Sequence, residues 1–225
     1  MASDLLEKGA ILQRDKETYA VAPHIPGGII TDFKLLRRIA DTAEKYGAQA
    51  IKLTSAERFA LVGLQAQDLD QVWQDLGLPP GAAAGLCVRS VKICPGTTFC
   101  RIGMQDAVGV GLKLDAKYHG VALPFKFKMG VSGCPNNCSE SSIKDLGLVG
   151  TAKGWRVLAG GFVSGLKPRL ADLIAVNLND EEALALVDRV VEWYQRAGKA
   201  KRLGRVIDEI GFAEFMADLD LSAVA

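Results

Sequence analysis

Apolar positions along this chain change period several times, and each change marks an element. Residues 10–14 and 18–24 read as strands around the charged turn Asp15-Lys16-Glu17, and Pro26-Gly27-Gly28 breaks the second strand. Leu35, Leu36, Ile39 and Ala43 then recur at helical spacing. They predict a helix from a Thr31 cap to about Tyr46, closed by Gly47. Residues 50–54 and 58–64 read as strands and 68–76 as a short helix. Beyond Pro79-Pro80-Gly81-Ala82-Ala83-Ala84-Gly85, residues 87–93 form a strand. Thr97 caps a helix reaching about Tyr118 that carries Cys100 in its first turn. Phe/Lys alternation predicts a strand over 125–131, and 133–138 is a loop followed by a short helical turn through Ile143. Strands at 146–149 and 155–159 precede a glycine-rich loop at 160–169, and amphipathic helices at 180–195 and 203–219 close the chain.

This pattern predicts an α+β protein in two parts: an α/β subdomain over residues 1–80 and a mixed α/β domain over 81–225. The chain has 225 residues, 49% of them hydrophobic, and a net charge of +1. It can bury a sizeable core, and no global field favours nucleic acid or a membrane surface. No apolar run approaches the roughly 18 residues of a membrane span, and the first eight residues are too charged for a secretory signal. A cytoplasmic location is expected, with no nucleic-acid or membrane partner.

The chemistry concentrates between Arg89 and Cys138. Four of the five cysteines fall there as two pairs, Cys94-x5-Cys100 and Cys134-x3-Cys138. In a reducing compartment paired cysteines bind metal or do redox chemistry more often than they form disulfides. The first gap is wide for a zinc knuckle, so an iron–sulfur cluster is favoured over zinc or over four unrelated buried thiols. Cys87 fits neither pair and reads as a core thiol. Lys126 and Lys128 stand just upstream of the second pair. Taken alone, alternating lysines are a solvated strand face, Arg89 is as well explained by a surface salt bridge, and His24 by a structural role. Lys199-Ala200-Lys201-Arg202 reads as a solvated turn between helices, and Asn136 and Asn137 as turn formers.

The pattern C-x5-C followed by G-C-P-N-x-C resembles the siroheme and [4Fe-4S] domain of nitrite and sulfite reductases. Leu123-Pro124-Phe125-Lys126-Phe127-Lys128, Gly147-Leu148-Val149-Gly150 and Gly160-Gly161 agree with it. His24-Ile25-Pro26-Gly27-Gly28 and Ile51-Lys52-Leu53-Thr54 resemble the ferredoxin-like domain that precedes it in that family. The resemblance covers nearly the whole chain and implies siroheme and a [4Fe-4S] cluster as cofactors. It implies Cys94, Cys100, Cys134 and Cys138 as cluster ligands, Cys138 also bridging to the siroheme iron. Arg89, Lys126 and Lys128 match positions whose cations face the bound oxyanion, and His24 stands where the family usually has a further arginine.

Candidates to pair with siroheme carboxylates are Lys52, Arg58, Arg101, Lys153, Lys167 and Arg169, Arg being suited to bidentate contact. Asn136, Gly160 and Gly161 are further candidate cofactor contacts. The implied activity is the six-electron reduction of sulfite to sulfide, with nitrite reduction to ammonia as the alternative. Electrons would come from a separate donor, ferredoxin-like or a cytochrome, because the chain carries no further cysteine quartet. The larger assimilatory enzymes resemble two fused copies of this unit. A single copy implies either a homodimer sharing its lysines or a monomer with a more open distal face. A non-catalytic [4Fe-4S] electron carrier and a zinc-stabilised binding module are the competing classes.

Overall fold

The structure is a computed structural model and describes residues 3–219. Contacts divide the chain into two units, Met1–Gly85 and Leu86–Ala225. Helices and strands are mixed in both units, as the α+β expectation required.

The first unit is a four-stranded antiparallel sheet in the order β1-β2-β4-β3, formed by β1 (Ala10–Leu12), β2 (Tyr19–Val21), β3 (Ala50–Leu53) and β4 (Phe59–Leu64). Helices α1 (Lys34–Lys45) and α2 (Leu69–Leu76) bury Ile39, Leu69, Val72 and Leu76 in one core with Leu61 and Leu64. Helix α1 starts later than the Thr31 cap predicted: the Asp32 carboxylate accepts from the Lys34 N–H at 3.0 Å, and Leu36 is exposed rather than core-facing. Gly47, in left-handed conformation, follows its last turn.

The second unit carries a five-stranded sheet in the order β5-β6-β7-β8-β9. Strands β5 (Val88–Ile93), β6 (Phe127–Ser132) and β7 (Leu146–Thr151) run parallel; β8 (Gly154–Ala159) and β9 (Asp172–Leu178) are antiparallel. Helices α4 (Ala107–Tyr118) and α5 (Asp180–Ala197) share one core with the face bearing Val91, Met129, Leu146, Trp155 and Val157. The indole N–H of fully buried Trp155 donates to Asp180 at 2.7 Å, which satisfies the polar handle of a large apolar side chain. By register, the opposite face carries Ser90, Lys92, Lys128, Gly130 and Gly147.

Three sequence expectations are corrected here. The single helix expected over 97–118 is instead α3 (Gly96–Phe99), an irregular segment and then α4. Asp106 caps α4 by accepting from the Gly109 N–H at 2.9 Å. A Cβ on Gly103 would lie 2.5 Å from the Gly96 carbonyl carbon, so the chain folds back on itself instead of continuing the helix. Cys100 therefore ends α3 in an extended conformation. Strand β9 was not expected, because its burial follows no simple alternation. The expected helix over 203–219 is split into α6 (Leu203–Ile210) and α7 (Phe212–Asp218) by Gly211 at φ 96°.

Candidate functional site

The two cysteine pairs lie on segments that follow the C-terminal ends of β5 and β6 and hydrogen-bond to each other. Cys94 follows β5 directly and extends its ladder, its N–H donating to Val131 O at 3.0 Å. The Gly133 N–H donates to Cys94 Sγ at 3.0 Å, while Gly133 O accepts from the Met104 and Gln105 N–H groups at 2.8 and 2.9 Å. The Cys94–Cys100 segment and the Cys134 loop are thus tied at one residue, and a backbone donor already points at a ligand sulfur. Cys94 and Cys134 are buried, Cys100 is partly covered and Cys138 is exposed; none of the five cysteines forms a disulfide.

Beyond Cys138 the chain turns through Glu140 (φ 57°) into a 3-10 turn, Ser141–Ile143, that lies flat on the sheet. Gly147 makes that approach available, since a Cβ there would come within 2.2 Å of Ser141 O. Asn137 pins the loop: its Oδ1 accepts from the Ser141 N–H at 2.8 Å and its Nδ2 donates to Ser142 at 2.8 Å. A four-thiol donor set on two glycine-bearing loops suits a cluster of iron and sulfide. Among the described residues no three His, Cys, Asp or Glu side chains close on a single metal ion. The Ser139 hydroxyl, next in sequence to Cys138, is buried and has no hydrogen-bond partner among the described residues.

Arg89, Lys126 and Lys128 lie on or just before β5 and β6, at the strand ends away from Cys94 and Cys134. Arg89 sits at the register shift between Val88 and Ser90, a bulge that re-aims its side chain. Lys128, half-buried, pairs in register with Ser90, and its charge is close enough to Arg89 for the two to repel. Burial holds the Lys128 ammonium below the usual lysine range, and the positive charges of Arg202, Lys144 and Arg89 add to the effect against Asp145. Lys126 lies just before β6, its ammonium 5.6 Å from the Phe125 ring centre. Lys92 and Lys144 both reach Glu140, at 3.5 and 2.8 Å, so a single carboxylate holds two lysines beside the Cys138 loop.

Behind Lys128 is a charge pair that sequence reasoning missed. Asp145, fully buried, accepts from Arg202 Nε and Nη2, both at 2.7 Å, and from the Lys128 backbone N–H at 2.8 Å. Burial pushes the Asp145 carboxyl up, while Arg202 and the Lys128 N–H pull it back. Arg202 was expected in a solvated turn. Lys199 and Lys201 do stay exposed, against Glu209, but Arg202 is buried, and its guanidinium carbon lies 5.3 Å from the Phe162 ring centre.

The remaining candidates are spread out. Arg101, Asn136, Lys153 and Lys167 are exposed; Gly160 and Gly161 are buried, with the Gly160 N–H donating to Asp145 O at 2.8 Å. Arg169 is engaged within the protein, bonding Asp208 at 2.8 Å and Asp172 at 2.5 Å. His24, Lys52 and Arg58 belong to the first unit: His24 donates its N–H to Pro79 O, Lys52 is exposed on β3, and Arg58 is buried. Lys92, Glu140, Lys144, Asp145 and Arg202 were not predicted. The signal for Lys92 was its place on the Arg89 strand; for Asp145, its position two residues before Gly147.

A mixed sheet whose parallel strands β5 and β6 lead into two hydrogen-bonded, cysteine-bearing loops is an arrangement suited to a metal cluster. The family described as the nitrite and sulphite reductase 4Fe-4S domain matches residues 84–223, and the nitrite/sulfite reductase ferredoxin-like half domain matches residues 11–78. The chain belongs to the nitrite and sulfite reductase family, an enzyme family whose cofactors are siroheme and a [4Fe-4S] cluster. It is 43% identical over 205 residues to an assimilatory-type sulfite reductase of Nitratidesulfovibrio vulgaris, covering 91% of this chain and 93% of that protein. It is 39% identical over 212 residues to an NAD(P)H nitrite reductase of Bacillus subtilis, but spans 26% of that relative. Among solved structures, dissimilatory sulfite reductase I superposes with a TM-score of 0.80 at 17% identity, over 90% of this chain and 69% of that one. The Mycobacterium tuberculosis NirA protein gives 0.76 at 18%, over 91% and 40%. These two likenesses establish the fold. No helix among the described residues is long and apolar enough to cross a membrane.

Proposed function

We propose that this chain reduces sulfite to sulfide at a siroheme joined to a [4Fe-4S] cluster through Cys138. The observation that carries the proposal is a pair of mutually hydrogen-bonded loops, each bearing two cysteines, on the sheet whose β5 and β6 also carry the neighbouring cations Arg89 and Lys128. The similarity to an assimilatory-type sulfite reductase of nearly the same length supports the substrate. When bound, the coupled cofactors would take electrons from a separate donor and pass them to the substrate. The protein supplies binding and electrostatics. Cys94, Cys100 and Cys134 would hold the cluster, and Cys138, the most exposed of the four, would be the thiol shared with the haem iron. Arg89, Lys126 and Lys128 offset the charge of the oxyanion. Lys128, whose ammonium is held below the usual lysine range, gives up its proton more readily than an exposed lysine and suits donation to oxygen leaving as water.

His24 is a further side chain toward the oxyanion, and Lys52, Arg58, Arg101, Lys153 and Lys167 are partners for the siroheme carboxylates. Arg169 is less suited to that role, since two carboxylates already engage it. The electron donor is a separate protein, ferredoxin-like or a cytochrome, in the cytoplasm, and a homodimer would supply the lysines that fused relatives take from a second copy. Similarity to nitrite reductases favours nitrite as a second substrate. The test is steady-state turnover of sulfite and of nitrite, side by side, with reduced methyl viologen as electron source. A higher kcat/KM for sulfite is expected. Nitrite turnover alone would replace the substrate, and a cofactor-loaded protein inert to both would leave an electron carrier.

A further inference from the structure

We infer that the buried Asp145–Arg202 pair is a positioning device for Lys128, fixing the strand from which that lysine meets the oxyanion. The inference rests on the reading of Lys128 as a substrate-binding cation. Strand β7 first pairs with β6 at Leu146 and Met129, so the Lys128 N–H lies one residue beyond that ladder. The Asp145 carboxylate takes the place of the missing strand carbonyl, 2.8 Å from that N–H. Arg202, which directly precedes α6, then grips both oxygens of the same carboxylate at 2.7 Å. Its other contacts, Ser164 Oγ at 3.4 Å and Gly161 O at 3.5 Å, reach the glycine-rich loop. One guanidinium therefore ties three segments, widely separated in the chain, to the backbone of a single lysine.

A general packing role explains this arrangement poorly. Two buried charges are an expensive way to fill space, and apolar residues of similar volume often replace such a pair with no loss of stability. What apolar residues cannot do is hold the Lys128 N–H or keep a fixed positive charge behind its ammonium. The groups facing Lys128 are Arg202, Lys144, Asp145 and Arg89. Within that set Arg202 and Lys144 both lie outside the strands, and Arg202 is the one that also grips the carboxylate holding the Lys128 N–H.

The test is the double variant Asp145→Leu/Arg202→Met in the cofactor-loaded protein. Cofactor absorption, sulfite kinetics and competitive acetylation of Lys128 against Lys126 by mass spectrometry are read together. Cofactor content should be kept while KM for sulfite rises roughly tenfold or more, as misplacement of a binding group does. The pH of half-maximal acetylation at Lys128 should move up toward that of an ordinary lysine. If the double variant does not fold, Arg202→Lys, which keeps the charge but loses the bidentate grip, should raise KM for sulfite by a smaller factor while the labelling of Lys128 stays near wild type. Wild-type KM and wild-type labelling of Lys128 in whichever variant folds would make the pair mere scaffold and overturn the inference. If the wild-type protein reduces neither anion while the labelling of Lys128 moves as expected, the positioning stands and the proposed function falls.

Discussion

Gly147→Ala is the sharpest structural perturbation available, because it moves the loop after Cys138 without touching any thiol. A Cβ at Gly147 would lie 2.2 Å from Ser141 O, 2.7 Å from its carbonyl carbon and 2.9 Å from its Cβ. Two of these are backbone atoms, so no side-chain rotation relieves the clash, and the 3-10 turn Ser141–Ile143 must lift by about an ångström to restore contact distance. Overpacking of this kind costs about 1–3 kcal/mol, which for a chain of this size is about 2–12 °C in Tm. The same displacement loosens Asn137, which holds both sides of the turn, and with it the adjacent Cys138. Cluster and siroheme content should fall with stability. Gly120→Ala is the control: its φ of 76° makes alanine strained, about 1–2 kcal/mol, but nothing lies within 4 Å of the new Cβ. It should lose comparable stability and keep its cofactors. Iron, acid-labile sulfide and absorption measured on both variants decide the matter. A Gly147→Ala protein with wild-type iron, sulfide and spectrum would refute the claim that this loop positions the metal centre.

Three further outcomes are expected. Cys138→Ser should abolish the magnetic and spectral coupling between cluster and haem; unchanged coupled spectra would contradict the bridge. Lys128, held below the usual lysine range chiefly by burial, loses its charge at a lower pH than an exposed lysine. Sulfite KM should therefore rise as pH increases through that value, and Lys128→Arg, which stays charged, should remove the rise from the accessible range; an identical pH profile in the variant would exclude Lys128 as its source. Arg169→Ala, which breaks contacts to Asp172 and Asp208, should lower Tm with siroheme content unchanged, and loss of siroheme at unchanged Tm would return Arg169 to the cofactor site.

Local chemistry was legible in the amino-acid order and long-range chemistry was not. The two cysteine pairs announce themselves because their ligands are neighbours in sequence, and Pro79-Pro80-Gly81 marks a break because its residues favour one. The α1 and α5 helices follow from apolar spacing, and α5 carries in addition the reciprocal Asn179–Glu182 cap. The break over 97–106 is not legible from spacing, because it turns on Gly103 and Asp106. Their roles depend on what they touch: the backbone of Gly96 for one and the first turn of α4 for the other. Strand β9 hid behind a glycine-rich loop, with its two faces unevenly covered and no clear period of two. Asp145 and Arg202 lie 57 residues apart, and no pattern within either segment predicts that one will bury the other. Basic residues in a short polar run are solvated by default, and only the packing of α6 against the sheet made Arg202 an exception.

The central claim is that four cysteines on two tied loops hold a cluster coupled to siroheme. It is tested most directly by the absorption spectrum of the purified protein, with iron and acid-labile sulfide assayed on the same sample. The account predicts siroheme bands, cluster absorption, and iron exceeding labile sulfide by the single atom that the haem adds. Iron and sulfide in equal amount with no haem band, from cells able to make siroheme, would contradict it, and a colourless zinc protein would do so more completely.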